Sequence, residues 1–491
     1  MTAPFRRRTR KNPLRPTAAP IARVYSDLAP HRQYDLEMPV ETWKERHAQG
    51  RRLRTAVPRA ALASWKPSPR RVEVVAQIER TCADRLPELV PIRMARMAAS
   101  RFGFLRGAAA IMAADLARAP SSGIHVLIDG DSHVGNFGLF GTVERDIVFD
   151  LNDFDEATVG PFEWDLKRLA ASIEVAGRDI GLSRKRRRRA VRAAVAGYRH
   201  ELLRLERMSA LDVWYLFLFA GRRNPDPPLA PATRRALRAA ALRAGGRDNL
   251  SLLHQIAVEG RNGAWRLRRI PPLQTGLPDR VRRQVLAALP EYGESLPRER
   301  RYILSRYRVV DVAQRVVGVG SVGTRDYVVL LLGNDARDPL FLQIKEATPP
   351  AGQPFLPPLA REFRLHPGKR VVTAQRALNG SPDLLLGWTR VGGRPFYVRQ
   401  LRNLKGAVPL DELGPATFLE YVTTCGAILA RAHARSGDAA VLAGYCGSSD
   451  ALDRALGQFA ERYADQTETD RAALGRAIAS GRIRVPSGTP R

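Results

Sequence analysis

Ten aspartates and glutamates crowd residues 129–165, DGDSHVGNFGLFGTVERDIVFDLNDFDEATVGPFEWD, beside a single arginine. The chain around them is strongly basic, with a net charge of +31. Crowding like charges costs free energy unless cations or hydrogen-bond donors compensate them. Hard carboxylate oxygens with no cysteine among them suit Mg²⁺, which takes one or two carboxylates and completes its shell with phosphate oxygens. The spacing narrows the chemistry further. Asp131 and Asn136 stand five residues apart in a loop after the apolar run IHVLID, and Asp153-Phe154-Asp155 ends the next apolar run. Phosphoryl transfer uses such a set, an Asp to orient the attacking hydroxyl, with an Asn and a second Asp to hold metal on the phosphates.

A second constellation lies downstream. Gly318, Gly320 and Gly323 form G-x-G-x-x-G around Ser321 in VVGVGSVGTRDYVVLL. Glycines let backbone N–H groups approach phosphate closely. A dinucleotide fold requires a helix after these glycines, whereas DYVVLLL reads as a strand. Strand, glycine loop and strand cover a triphosphate when a lysine follows on the next strand, and FLQIKEA supplies Lys345. A lysine on an apolar strand needs a phosphate or carboxylate partner. The next helix, GKRVVTAQRALNG, has no acid, so Glu346, Glu362 and Gln375 are the polar candidates.

The elements that must position these groups follow from periodicity. Helices are expected over 85–120, from WDLKRLAAS to about 222, over most of 230–300 with a strand-like piece near WRLRRIPPL, and over 411–491. The Pro-rich NPDPPLAP breaks the second stretch. Three strands are expected over 308–347, then one helix, then two strands joined at Gly392-Gly393. The pattern gives an α+β chain in four parts. A basic Pro/Arg-rich extension spans 1–80, and a helix-rich part with the Asp/Asn loop spans 81–305. A β-rich part with the glycine loop spans 306–408, and C-terminal helices span 409–491.

G-D-x-H-x-x-N, a strand ending in Asp153, and Asp165-Leu166 twelve residues later resemble the aminoglycoside-phosphotransferase branch of the kinase-like fold. The resemblance implies a two-lobed, ATP- and Mg²⁺-dependent enzyme. Asp131 is then the base, Asn136 and Asp153 are metal ligands, and Asp165 braces the loop. His133 orders the same loop, and Asp155 supports it. Gly318, Gly320, Ser321, Gly323 and Lys345 bind the nucleotide. Asp129 departs from the pattern, since that branch usually carries His there. The order departs too: the glycine loop follows the catalytic loop by about 190 residues, which a circular permutation would explain. Both 103–120 and 425–438 resemble the helix leading into the catalytic loop.

The stretches RLPELVPIRMARM, FGFLRGAA, GDSHVGNFG, FDLNDFDEATVGPFEWDLKRLAAS, DVAQRVVGVGSVGTR, LQIKEA and FYVRQLRNLKG resemble the uncharacterised bacterial family known as domain of unknown function 2252, over roughly residues 50–435. In its motifs Arg93, Arg106, Lys167, Arg168, Arg399 and Lys405 either line the cleft as phosphate or substrate contacts or form buried ion pairs.

Charge also admits a nucleic-acid reading. There are eight lysines, so 72 of the 80 basic residues are arginine, spread over nearly the whole chain. The run RKRRRR at 184–189 lacks the aromatics that stacking on single strands wants. Weak, salt-sensitive polyanion binding is the expectation from charge alone. Three classes thus stand: a phosphotransferase with a small-molecule or protein acceptor, a kinase-like nucleotide-binding scaffold or nucleotidyl transferase, and a basic nucleic-acid-associated protein. No run of about 18 apolar residues suggests a membrane span. The basic N-terminus has no apolar stretch behind it, and the three cysteines (Cys82, Cys425, Cys446) show no metal spacing. The cytoplasm is the expected compartment.

Overall fold

Helices dominate the described part of the chain because its apolar residues recur at three- and four-residue steps. The computed structural model describes residues 41–220, 229, 231–261, 263–316, 318 and 320–486. The first half of the basic extension and most of the Pro-rich stretch at 224–231 lie outside them. In chain order come helices α1 (Trp43–Ala56), α2 (Val74–Cys82), α3 (Val90–Ala99), α4 (Arg101–Gly107) and α5 (Ala109–Leu116). Strands β1 (His125–Ile128), β2 (Phe137–Gly141), β3 (Ile147–Leu151) and β4 (Thr158–Pro161) precede helices α6 (Phe162–Asp179) and α7 (Arg184–Leu205). Then follow α8 (Ala210–Trp214), α9 (Pro231–Gly245), α10 (Asn249–Ile256), and the short strands β5 (Ala257–Glu259), β6 (Trp265–Leu267) and β7 (Gln274–Thr275). Helices α11 (Asp279–Ala287), α12 (Leu289–Ser295) and α13 (Arg298–Ser305) lead to β8 (Arg308–Arg315), β9 (Asp326–Leu332) and β10 (Pro339–Glu346). The chain ends with α14 (Arg361–Leu365), α15 (Pro367–Leu378), β11 (Gly387–Val391), β12 (Arg394–Gln400), α16 (Pro415–Ser436), α17 (Ala439–Cys446) and α18 (Ala451–Ala479). No helix among the described residues is long and apolar enough to cross a membrane.

Two antiparallel strand pairs, β1–β4 and β2–β3, carry the acidic loops. A larger sheet, in the order β11-β12-β10-β9-β8-β7, is antiparallel throughout. Alternation along β10 decides its faces. Leu342 and Ile344 pack with Val285, Tyr292 and Leu296 of the helices before the sheet. Phe341 points the other way, against Leu252, Leu253 and Ile256 of α10. Gln343 and Lys345 share the parity of Phe341. The sequence groups residues 249–305 with the helix-rich part, but their apolar faces are buried on the sheet.

Helix α6 is buried on almost every face, including Glu163, Asp165, Lys167, Arg168 and Glu174. A buried charge is tolerated only with a partner, so the centre of this helix is dense with ionic links. The basic run forms the first turns of α7, where Arg187 pairs with Glu174 at 2.7 Å and Arg184 with Glu461 at 2.9 Å. Helix α1, started by a Thr42–Glu45 capping box, packs on α17. Helices α7 and α16 cross at glycines. A Cβ on Gly426 would lie 2.0 Å from the Ala194 carbonyl oxygen, and one on Gly197 2.3 Å from that of Thr423. Gly426→Val must therefore push two core helices apart, and is expected to lower the unfolding free energy by about 2 kcal/mol. Urea unfolding that leaves the midpoint unmoved would show that these helices have room to separate.

Candidate functional site

Strand β1 delivers Asp129 and turns sharply at Gly130, whose φ is +77°. A Cβ there would lie 2.2 Å from the Glu156 carbonyl oxygen, so only glycine fits. The turn is held from the first helical turn of α6: Asp165 accepts the backbone N–H groups of Asp129 and Gly130 at 2.7 and 2.9 Å. Asp165 also meets Nε2 of His433 on α16 at 3.1 Å, and the Tyr198 hydroxyl lies 2.8 Å from Nδ1 of that ring. Asn136 links the two acidic loops. Its Oδ1 accepts the Asp153 N–H at 3.0 Å, while its Nδ2 donates to Asp129 at 3.0 Å and to the Asp153 carbonyl at 2.9 Å.

Asp131 offers one oxygen, Oδ1, to both Nε and Nη2 of Arg168, at 2.9 and 2.6 Å. Its other oxygen lies 3.8 Å from His133 Nε2. Burial pushes the Asp131 carboxyl up to about 7 against the pull of Arg168. The His133 ring stands edge-on to Phe102. Burial, with Arg106 and Arg168 nearby, holds its pKa well below the usual value and favours the neutral ring.

From the sheet, Lys345 projects into the second acidic loop. Its ammonium, 2 % exposed, contacts Asp155 directly and lies 3.4 Å from Asp153. None of the three polar candidates is its partner. Glu346 pairs with Arg325 and Arg394, each at 3.1 Å, Glu362 pairs with Lys369, and Gln375 stays buried in α15. Where an acid was sought on α15 the helix instead carries Arg370, which donates to the carbonyls of Ala157, Asp155 and Thr348. Burial raises an isolated carboxyl, but Lys345, Arg399 and Lys405 outweigh it and hold Asp153 well below the usual range. Asp155 is raised by burial and by Asp153. Asp129 is raised further, by burial and then Asp165, which favours its protonated acid. The Lys405 amine is pressed down to about 7 by Arg399 and by burial.

The glycine loop closes the opposite side. Gly318 and Gly323 have φ of +68° and +94°, conformations that favour glycine. Residues before and within α3 pin the loop: Leu86 N–H donates to the Gly323 carbonyl at 2.8 Å, Arg85 to Val322 at 2.5 Å, and Arg96 to Gly318. One cavity of about 960 Å³ is lined by Asp131, His133, Asn136, Asp153 and Asp155 together with Gly318, Gly320 and Ser321. Arg93, Arg106, Arg399 and Lys405 line it too. Lys345, Asp165 and Arg168 stand one layer behind its wall, and Gly323 packs on the Arg85 side chain. Lys167 is not part of it. Buried within α6, its amine lies 5.0 Å from the Phe459 ring centroid, because that face of the helix packs on α18.

A family model described as an uncharacterized protein conserved in bacteria (DUF2252) matches residues 85–477. The chain belongs to this family. The matched span of the DUF2252 chain runs from the arginine that pins the glycine loop to the helices behind Asp165. Comparison with curated proteins and with solved structures gives no match to the chain. Among the described residues no three His, Cys, Asp or Glu are grouped to hold a metal ion. The donors that fit Mg²⁺ carried on a phosphate are Asp153, Asn136 Oδ1, and Asp155, whose Oδ1 is buried without a hydrogen-bond partner.

Two DUF2252 site residues carry no local signal. His433 sits in ARAHARSGD as one histidine on a helix, and Arg370 is one of 72 arginines. Lys345 gives the sharpest test. It depresses Asp153, so the cluster stabilises the fold above the unfolded carboxylate pKa of about 3.9 and loses that contribution as pH falls. Lys345→Met strands two adjacent carboxylates. The variant is expected to lose about 2 kcal/mol near neutral pH, less than a fully buried pair because Asp153 is half exposed. The deficit should shrink towards about pH 4 as the carboxyls take up protons. Urea unfolding across that range checks it, and a pH-independent deficit would mean that Lys345 acts by packing alone.

Proposed function

We propose that this cleft binds a nucleoside triphosphate with Mg²⁺ and transfers the terminal phosphoryl group to a hydroxyl acceptor, in a circularly permuted, two-lobed kinase-like fold. The observation that carries the reading is the meeting of Lys345 and Asp153. They lie 192 residues apart in sequence, come from the sheet and from the acidic loop, and stand 3.4 Å apart beside the glycine loop. A triphosphate and its metal need that combination within one cleft. The position of α16 supports the permuted order. Its end abuts β1, with Ser436 Oγ donating to the Leu127 carbonyl at 3.3 Å and Gly437 against the Val126 side chain. Of the two helices that resemble the one leading into the catalytic loop, the one at 425–438 is therefore favoured.

The chain's residues divide the work. Asp153, Asp155 and Asn136 would hold Mg²⁺, which supplies charge neutralisation on the phosphates. Lys345 keeps Asp153 ionised and becomes available to phosphate when the carboxylates turn to the metal. Glycine-loop N–H groups donate to the phosphates, and Arg399 and Lys405 offset their charge. Arg168 fixes Asp131 through one oxygen and leaves the other to accept a hydrogen bond from the acceptor hydroxyl. As the acceptor oxygen bonds to the γ-phosphorus, the bond to the β,γ-bridging oxygen breaks, and the hydroxyl proton passes to Asp131. A carboxyl lifted to about 7 is matched to that task near neutral pH.

Asp153→Asn keeps the side-chain volume but removes a charge, and is expected to abolish the Mg²⁺-dependent part of ATP affinity in calorimetry. Equal affinity in both proteins would remove Asp153 from the site. Asp131→Ala is expected to lower ADP release about 10²–10⁴-fold while nucleotide affinity is nearly unchanged. ADP release that survives undiminished would refute the base, and pyrophosphate in place of ADP would assign nucleotidyl transfer.

A further inference from the structure

The wall of the cleft built by α2 to α5 carries several arginines. Arg80, Arg85, Arg93, Arg106 and Arg118 all line the cavity. Among the described residues none of the five pairs with a carboxylate, whereas Arg71 beside them is held between Asp115 at 2.8 Å and Asp470 at 2.6 Å. Arg93 is 2 % exposed, donates to the Gly107 carbonyl at 2.8 Å, and keeps its Nε buried with no partner. Arg106 likewise has a buried Nε with no partner. A guanidinium taken out of water without an anion is costly, so these groups are set for an anion that enters the cleft.

Their positions separate two duties. Arg85 spends its donors on the Thr81 and Val322 carbonyls, and so belongs to the glycine-loop support. Arg106 stands between that loop and the base. Its carbonyl would lie 3.4 Å from a Cβ on Gly320, and its charge bears on Asp131. Arg80 and Arg118 are exposed, at the ends of α2 and α5. The same cavity is lined by Pro349, Pro350 and Phe355, in a segment tied to the acidic loop by the bond from Ala351 N–H to Glu156 at 2.5 Å. All these residues share that cavity of about 960 Å³ with Asp131.

We infer that the acceptor is itself an anion, a small hydroxyl-bearing phosphate monoester, with its phosphate on Arg106, Arg80 and Arg118 and its hydroxyl at Asp131. This rests on the phosphotransferase reading for the role of Asp131, but not for the anion site itself. Phosphate is favoured over carboxylate because several forked guanidiniums line this one cavity and its oxygens accept more charge-assisted hydrogen bonds.

The test titrates inorganic phosphate, and acetate as the carboxylate counterpart, into the full chain with and without saturating AMP-PNP·Mg²⁺. Wild type is compared with Arg106→Gln and with the double variant R80A/R118A, whose exposed positions keep the test open if Arg106→Gln fails to fold. Phosphate is expected to bind the analogue-saturated protein, with acetate at least about tenfold weaker. Both variants should weaken phosphate about tenfold while leaving the analogue's affinity unchanged. Phosphate excluded by the analogue would assign the arginines to the nucleotide and overturn the inference. So would phosphate binding that R80A/R118A leaves untouched, or acetate binding as tightly. If the analogue fails to bind while phosphate still does, the nucleotide reading falls and the anion site stands.

Discussion

Carboxylates cannot share one cleft unless each is compensated, and this constraint organises the molecule around residues 129–165. The main members are compensated in several ways. Asp129 is driven towards its neutral acid and accepts a hydrogen bond from Asn136. Asp131 is gripped by Arg168. Asp153 and Asp155 share Lys345. Asp165 is satisfied by two backbone N–H groups and by His433. These partners come from α6, β10 and α16, so the loop cannot adopt its shape until sheet, central helix and C-terminal helix have docked. Like-charge repulsion thus turns a local sequence feature into a demand on tertiary structure.

The links to the loop backbone follow the same logic. Arg370 binds the Asp155 and Ala157 carbonyls of the acidic loop and the Thr348 carbonyl after β10, and Arg399 donates to the Asn152 carbonyl and to Gln343. Arg370 is buried and Arg399 half-buried, and both tie a polar loop to the β-rich region with charge-assisted bonds. A loop held in this way keeps its carboxylates fixed relative to the sheet, and fixed dipoles and charges are what electrostatic catalysis requires. The glycine loop is also tethered, by Arg85, Leu86 and Arg96, so its neighbours in the cleft share one rigid frame.

How much of this could be read from sequence depends on whether a signal is local. Asp131, Asn136 and Asp153 stood out because strand–loop–strand patterning and charge density fall within one short window. The glycines and Lys345 stood out because alternation marks the strands on either side. The α+β class followed from the same periodicities. The partners did not stand out. The acid for Lys345 was sought on the next helix, whereas the nearest carboxylates are some 190 residues earlier. His433 reaches Asp165 across 268 residues, and no periodicity encodes such a pairing. Lys167 was read from the family motif as either a cleft contact or a buried ion pair, beside Arg168, which grips Asp131. On a helix, adjacent residues point about 100° apart, and that rotation sends Lys167 to Phe459 instead. The packing of residues 249–305 on the sheet was hidden for a related reason: amphipathic helices announce that they have an apolar face, but not which surface will bury it.

Asp129, the departure from the usual histidine, also follows from compensation. A neutral imidazole at that point would relieve the acidic cluster but would not give Asn136 an acidic oxygen to donate to. A carboxyl pushed towards its neutral form by burial adds less charge and still accepts through Oδ2. The imidazole is not lost from the neighbourhood, for His433 arrives from α16 and meets Asp165 on the far side of the same turn. The cluster is then close to electrically balanced. Asp131 is offset by Arg168, and the Asp153–Asp155 pair faces Lys345, Arg399 and Lys405. A bare divalent cation entering that set meets three cations as well as two carboxylates, so the field gives it little net attraction. A cation already carried on phosphate brings compensating negative charge for the lysines and arginines, while Asp153 and Asp155 supply oxygens for the metal. On electrostatic grounds the proposed metal and phosphates suit the cleft together better than either alone.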